Sequence, residues 1–140
     1  MSNELFLDTA YAIALSVESD EHHQHAEELA EQLLGNQTPL ITTRAVLLEI
    51  GNALSKVRYR QAARELLDAL ERDPQVEIVL ITEELYQQAL ALFCSRLDKE
   101  WGLIDCLSFI VMKERGLTDA LTTDEHFEQA GFRALLRSRQ

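Results

Sequence analysis

Leu5-Phe6-Leu7-Asp8-Thr9, followed by Ala10-Tyr11-Ala12-Ile13-Ala14-Leu15, decides the class of fold. A short apolar run ends at an acid and a hydroxyl, and a stretch rich in helix formers follows, so the segment reads strand, turn, helix. The same grammar returns along the chain. Residues 39–42 form a short strand that enters a helix near Thr43, residues 76–81 carry enough β-branched side chains for another strand, and residues 120–123 and 131–135 supply two more. Between them lie helical patterns. Ala26, Leu29, Ala30, Leu33 and Leu34 recur at three and four within 20–34, with Gly35-Asn36 as a stop. A helix from Thr43 carries the stripe Val46, Leu47, Ile50, Ala53, Leu54 and Val57 to about Arg58, and another spans 61–72 before Asp73-Pro74. Thr82-Glu83-Glu84 opens a helix reaching about Arg96. After a loop at 97–102, residues 103–115 make a helix apolar nearly all round, ended by Gly116, and 124–130 supply one or two further turns.

Strands alternating with helices predict an α/β fold, a mostly parallel sheet covered on both faces. In such sheets ligands sit at the carboxyl ends of the strands, so those ends are where chemistry is expected.

The 140 residues predict a single domain over 1–140, long enough to hide roughly 68% of its unfolded surface without staples. A hydrophobic share of 46% excludes a disordered chain, and no apolar run reaches the ~18 residues of a membrane span. Met1-Ser2-Asn3-Glu4 lacks the positive region of a secretory signal, and Asp8 interrupts the apolar stretch behind it, which predicts a cytoplasmic protein. Cys94 and Cys106 form no CxxC pair and lie in apolar helical patterns, which predicts buried, reduced thiols. Thirteen Lys and Arg against 24 Asp and Glu give a net charge of -11, which argues against a protein that coats nucleic acid. It leaves room for a nuclease whose acids gather around cations.

Asp8 and Asp124 each end a predicted strand, on the edge where sites form. Asp105 stands inside Leu103-Ile104-Asp105-Cys106-Leu107, where an isolated carboxylate is costly unless paired or bound to a cation. Glu49 flanks the apolar stripe of its helix, free to face either way. Each Asp also reads as a helix N-cap worth about 1 kcal/mol, and Glu49 as a solvated residue. Together they are more specific: with no Lys or Arg beside them, converging carboxylates repel unless a cation neutralises them, and oxygen ligands select Mg²⁺ or Mn²⁺. His22, His23 and His25 fit a solvated helix start better than a metal cluster, and His126 fits an exposed helix position better than a phosphate contact. Trp101-Gly102 reads as packing. No P-loop, GxGxxG or serine or cysteine triad occurs, and Asp8-Thr9-Ala10 lacks the paired acids of phosphoaspartate receivers and aspartyl phosphatases.

Leu5-Phe6-Leu7-Asp8-Thr9, Glu49-Ile50-Gly51-Asn52-Ala53-Leu54, Leu103 through Phe109, and Gly116 through Phe127 with Gly131-Phe132 together resemble a PIN domain. The match is best to the VapC-like toxin ribonucleases of bacterial toxin–antitoxin pairs. The resemblance implies a five-stranded parallel sheet between helical layers and an acidic pocket holding Mg²⁺ or Mn²⁺. It also implies cleavage of single-stranded RNA to a 5′-phosphate and a 3′-hydroxyl, a small antitoxin partner and a homodimer. By position, Asp8, Glu49, Asp105 and Asp124 match the family's four acids, Thr9 and Thr122 are hydroxyl helpers, and Asp98 and Glu125 are accessory acids. Ser108-Phe109 and Thr123 depart from the small and basic residues often found there, which bears on substrate preference. Arg58, Arg60 and Arg64, with Lys56, form the clearest basic cluster, read as an RNA guide or else as a solvated or antitoxin-facing surface. The alternative function is a PIN-fold module that binds RNA or protein without cutting.

Overall fold

β1 (Leu5–Leu7) is short and apolar because both of its faces are covered: Phe6 and Leu7 are buried, with helices on either side. The computed structural model describes residues 3–137; Met1, Ser2 and the last three residues of the expected domain lie outside them. After β1 come α1 (Thr9–Ser16), α2 (His23–Gly35), β2 (Leu40–Thr43), α3 (Arg44–Ala53) and α4 (Val57–Arg72). Then follow β3 (Val76–Val79), α5 (Glu83–Ser95), α6 (Leu103–Glu114), β4 (Asp119–Leu121), α7 (Glu125–Gln129) and β5 (Arg133–Ala134).

The strands form one five-stranded sheet, all parallel, in the order β3-β2-β1-β4-β5. Phe6 pairs with Ile41 of β2 on one side and with Ala120 of β4 on the other. Right-handed crossovers then place α1 to α4 on one face and α5 to α7 on the other. The packing agrees: α1 lies against α2, α3 and α4, while α6 lies against α5 and α7. Phe6, Ile41, Ile50, Met112, Leu121 and Phe127 fill the core without exposure. α6, read as apolar nearly all round, buries six of its residues and stops at Gly116, whose φ of 67° suits a residue without Cβ; the Leu117 N–H bonds back to Met112 O.

Three expectations are corrected. The helix expected from Thr43 to about Arg58 breaks instead at 54–56, because Leu54 turns into the core and Lys56 adopts extended backbone; Arg60 Nε donates to Ser55 O at 2.9 Å across the break. Val57, placed on the apolar stripe, consequently starts α4 and is 93% exposed. Cys94 lies on the outer face of α5 and is exposed, whereas Cys106 is buried as expected. Strand ends also shift, the strand expected over 76–81 closing at Val79 and that over 131–135 shrinking to Arg133–Ala134. Among the described residues no helix is long and apolar enough to cross a membrane.

Candidate active site

β1 and β4 are neighbours, and from them the chain leaves in opposite directions across the sheet, β1 toward β2 and β4 toward β5. Such a switch point opens a crevice at the carboxyl ends. Asp8 follows β1 directly, its N–H bonded to Leu121 O at 3.3 Å, and is 6% exposed. Although Asp8 occupies the N-cap position of α1, its side chain makes no cap bond. It accepts instead from Thr122 Oγ1 at 2.7 Å, and Thr122 Oγ1 in turn accepts from the Asp124 N–H at 3.0 Å. A fully buried threonine thus ties together the acids that end β1 and β4.

Asp124 is the N-cap of α7, its Oδ1 accepting from the His126 N–H at 2.9 Å. Asp105 stands in the first turn of α6 and reaches back to the Gly102 N–H at 3.1 Å, with the same Oδ2 facing His126 Nδ1 at 3.1 Å. Capping therefore accounts for part of the placement of Asp105 and Asp124, and for none of that of Asp8. Glu49, half-buried on α3, faces inward and accepts a hydrogen bond from Thr9 Oγ1.

The Asp8 carboxyl is raised to about 7, chiefly by burial, with the bonds from Thr122 and the Thr9 backbone opposing and the charges of Glu49 and Asp105 adding to the rise. Burial likewise raises Asp105, helped by the charge of Asp124 and opposed by Gly102 and His126. These couplings link all four acids into one group. Among the described residues, the ion pairs of that group run only to His126, with Nδ1 at 3.1 Å from Asp105 and 3.4 Å from Asp124. Oxygen-rich, poorly compensated and partly buried, the donor set fits a hard divalent cation. Asp105, Asp124 and His126 form the cluster of metal-competent groups found among the described residues.

Other candidates fall elsewhere. Asp98 is exposed and taken up by Arg96, with Nε and Nη2 at 3.0 and 3.1 Å, which holds its carboxyl below the usual range; it does not join the cluster. Glu125 is exposed on the first turn of α7. Arg58, Arg60 and Arg64 are exposed on α4 and none bonds to the acids among the described residues. His23 Nδ1 lies 2.7 Å from Ala14 O and His22 lies against Glu21, so the histidines of α2 do not gather. An apolar groove of about 410 Å³ between α1, α2 and α4, lined by Tyr11, Leu33, Leu34, Leu66 and Leu70, contains none of the four acids.

Sequence reading underrated His126, whereas Trp101, read as packing, packs. His126, read as exposed, turns its ring between two acids; its place two residues after an N-cap aspartate was the available signal. Trp101 packs edge-on against Phe109 of α6 at 5.1 Å, carries the Arg96 guanidinium over its ring, and donates from Nε1 to Gln129 of α7 at 3.0 Å. It thereby joins the two helices that present Asp105 and His126.

The family model of the PIN domain matches residues 5–133. The chain belongs to the PIN domain family. This PIN domain is similar to the 23S rRNA-specific endonuclease VapC20 of two Mycobacterium tuberculosis strains, 28% identical over 129 residues that cover 91% of this chain and 95% of the relative. The crystal structure of VapC20, described as a Sarcin-Ricin loop cleaving toxin, aligns with a TM-score of 0.80 at 27% identity, over 91% of this chain and 95% of that one. VapBC2 from Rickettsia felis, bound to a DNA fragment from its promoter, aligns with a TM-score of 0.68 at 15% identity, over 94% and 96%, and shares the fold. The parallel sheet between helical layers expected from the resemblance is the one observed.

Proposed function

We propose that this PIN domain is a metal-dependent endoribonuclease that hydrolyses phosphodiester bonds of single-stranded RNA, acting as the toxin of a VapBC-type pair in the cytoplasm. The observation that carries the reading is Asp8: a buried acid, making no cap bond, held toward three other acids where no Lys or Arg among the described residues pairs with it. The likeness to VapC20 supports the reaction and offers 23S rRNA as the first substrate to try. In the binding-only alternative the acids serve as caps, a role that Asp8 does not perform.

Asp8, Glu49, Asp105 and Asp124 would hold Mg²⁺ or Mn²⁺. When bound, such an ion supplies a Lewis acid for the phosphate and a hydroxide nucleophile at neutral pH. The chain's own residues do the positioning: Thr122 fixes Asp8 against Asp124, Thr9 fixes Glu49, and burial keeps water from the Asp8 carboxyl. We also take residues 1–140 as one domain, an antitoxin as its partner, and a homodimer as its state. The dimer is supported by Leu80, Ile81, Tyr86, Phe93 and Leu97, apolar side chains left exposed on and around α5.

The test is cleavage of labelled single-stranded RNA and of 23S rRNA by wild type and Asp105→Asn, each with Mg²⁺, Mn²⁺ or EDTA. Metal-dependent cutting by wild type alone is expected, with the variant at least a hundredfold slower. Equal cutting by both would remove Asp105 from the site; no cutting of either RNA would favour the binding module.

A further inference from the structure

We propose that His126 is a positioning residue that ties Asp105 of α6 to Asp124 of the β4–α7 turn and leaves the outer contacts of both acids filled, so that their other oxygens are free for a cation. The inference rests on the metal-dependent reading above and assigns a task that the set of four acids does not include.

Two different donors of one residue reach the two acids. The His126 backbone N–H bonds to Asp124 Oδ1 at 2.9 Å, and its ring Nδ1 lies 3.1 Å from Asp105 Oδ2 and 3.4 Å from Asp124 Oδ1. Ionised carboxylates only accept, so the ring nitrogen facing two of them carries the hydrogen. A protonated Nδ1 has no lone pair for a metal, so this nitrogen meets the two acids as a donor, and only Nε2 could ligate. The contacts also fall on oxygens that backbone donors already engage. Asp105 Oδ2 accepts from the Gly102 N–H as well as from the ring, and neither bond falls on its Oδ1. Asp124 Oδ1 is the capping oxygen, and its Oδ2 carries no part of that cap. In each acid one oxygen is spent on the protein.

The ring is held where it is by packing. Phe127, the next residue, is fully buried and lies edge-on to Phe109 of α6 with ring centroids 5.0 Å apart. Trp101, beside the Gly102 cap, bonds to Gln129 at the other end of α7. α7 is therefore held to α6 and to the residue before the α6 cap at two points just beyond His126. Hydrogen-bonding partners behind metal ligands orient them, and removing one typically weakens metal affinity about 10- to 100-fold.

The experiment measures Mn²⁺ binding to wild type, His126→Ala and His126→Asn by electron paramagnetic resonance of the free ion. Electron spin echo modulation on the loaded proteins then looks for directly bound nitrogen. Alanine keeps the backbone bond to Asp124 and removes the tie to Asp105; asparagine restores an N–H donor near the Nδ1 position. The expected result is binding weakened about 10- to 100-fold in His126→Ala, near wild-type binding in His126→Asn, and no directly bound nitrogen in wild type. Wild-type affinity in His126→Ala overturns the proposal, as does loss of affinity in a folded His126→Asn, which also decides the matter should the alanine variant not fold. A directly bound nitrogen that disappears in His126→Ala would make His126 a ligand and overturn it too. Wild type that binds no Mn²⁺ overturns the metal-dependent reading and this inference with it, whereas binding by wild type and alanine alike sinks the inference alone.

Discussion

Burial holds the Asp8 carboxyl near 7, so the folded protein keeps a proton there that an unfolded chain, with Asp near 3.9, has released by about pH 5. Between those values the native state binds more protons than the unfolded state, and stability falls as pH rises. The contribution of Asp8 is intact below about pH 4 and lost as pH climbs through 7. A gap of about three units at about 1.4 kcal/mol each puts the effect on the order of 4 kcal/mol. In EDTA the melting temperature of wild type is therefore expected to drop from pH 5 to pH 8 more steeply than that of Asp8→Asn, which cannot ionise. Millimolar Mn²⁺ or Mg²⁺ at pH 8 should recover much of the loss in wild type alone, since the ion binds only the folded site. Parallel curves for the two proteins would contradict the burial argument. Asp8 was legible as an acid at a strand end, but the sequence left a helix cap as an equal reading, which its bond to Thr122 in place of a cap bond disfavours. His126 was not legible, since its role depends on how α6 and α7 dock.

The β4–α7 turn performs two tasks with one side chain, and the two can be separated. Asp124 Oδ1 caps α7 while its charge belongs to the acid group. Asn caps about as well as Asp, whereas Ala loses about 1 kcal/mol. Asp124→Asn is expected to melt near wild type yet lose metal affinity and cleavage; Asp124→Ala should lose both, with a melting temperature a few degrees lower. Equal melting of the two variants would show that the cap contributes little, and full cleavage by Asp124→Asn would remove the charge from the chemistry. At this scale the sequence was readable wherever a strong local signal marked a boundary. Thr82 caps α5 and Gly116 ends α6 where expected. The break between α3 and α4 carries no proline or glycine at 54–56, and what decides it is the burial of Leu54, a tertiary event. Periodicity also failed at Val57 and Cys94, because a stripe identifies the apolar residues of a helix but not how wide a face its neighbours cover. Asp98 misled for a local reason, since Arg96 two residues away claims it.

Over the whole molecule, alternation of strand and helix was enough for the class of fold, but it does not say which strand ends meet. That depends on the order β3-β2-β1-β4-β5, which sets Phe6 beside Ala120 and so brings residues from the two ends of the chain into one site. The same assembly concentrates acids at one edge of a chain with net charge -11, so an RNA strand arriving there meets repulsion. Association then needs a positive approach elsewhere. Arg58, Arg60 and Arg64 are exposed on α4, the helix that follows the one carrying Glu49, and the Arg58 guanidinium lies over the Tyr59 ring at 4.9 Å. If these arginines guide RNA, replacing all three with alanine should raise KM for single-stranded RNA severalfold at low salt and leave kcat nearly unchanged. The salt dependence should also become shallower, by about 0.7 in the slope of log affinity against log salt for each phosphate contact removed. A solvated surface predicts neither change. A fall in kcat with KM constant would instead indicate that the arginines act on the bound phosphate, and would shift them from guidance to the reaction itself.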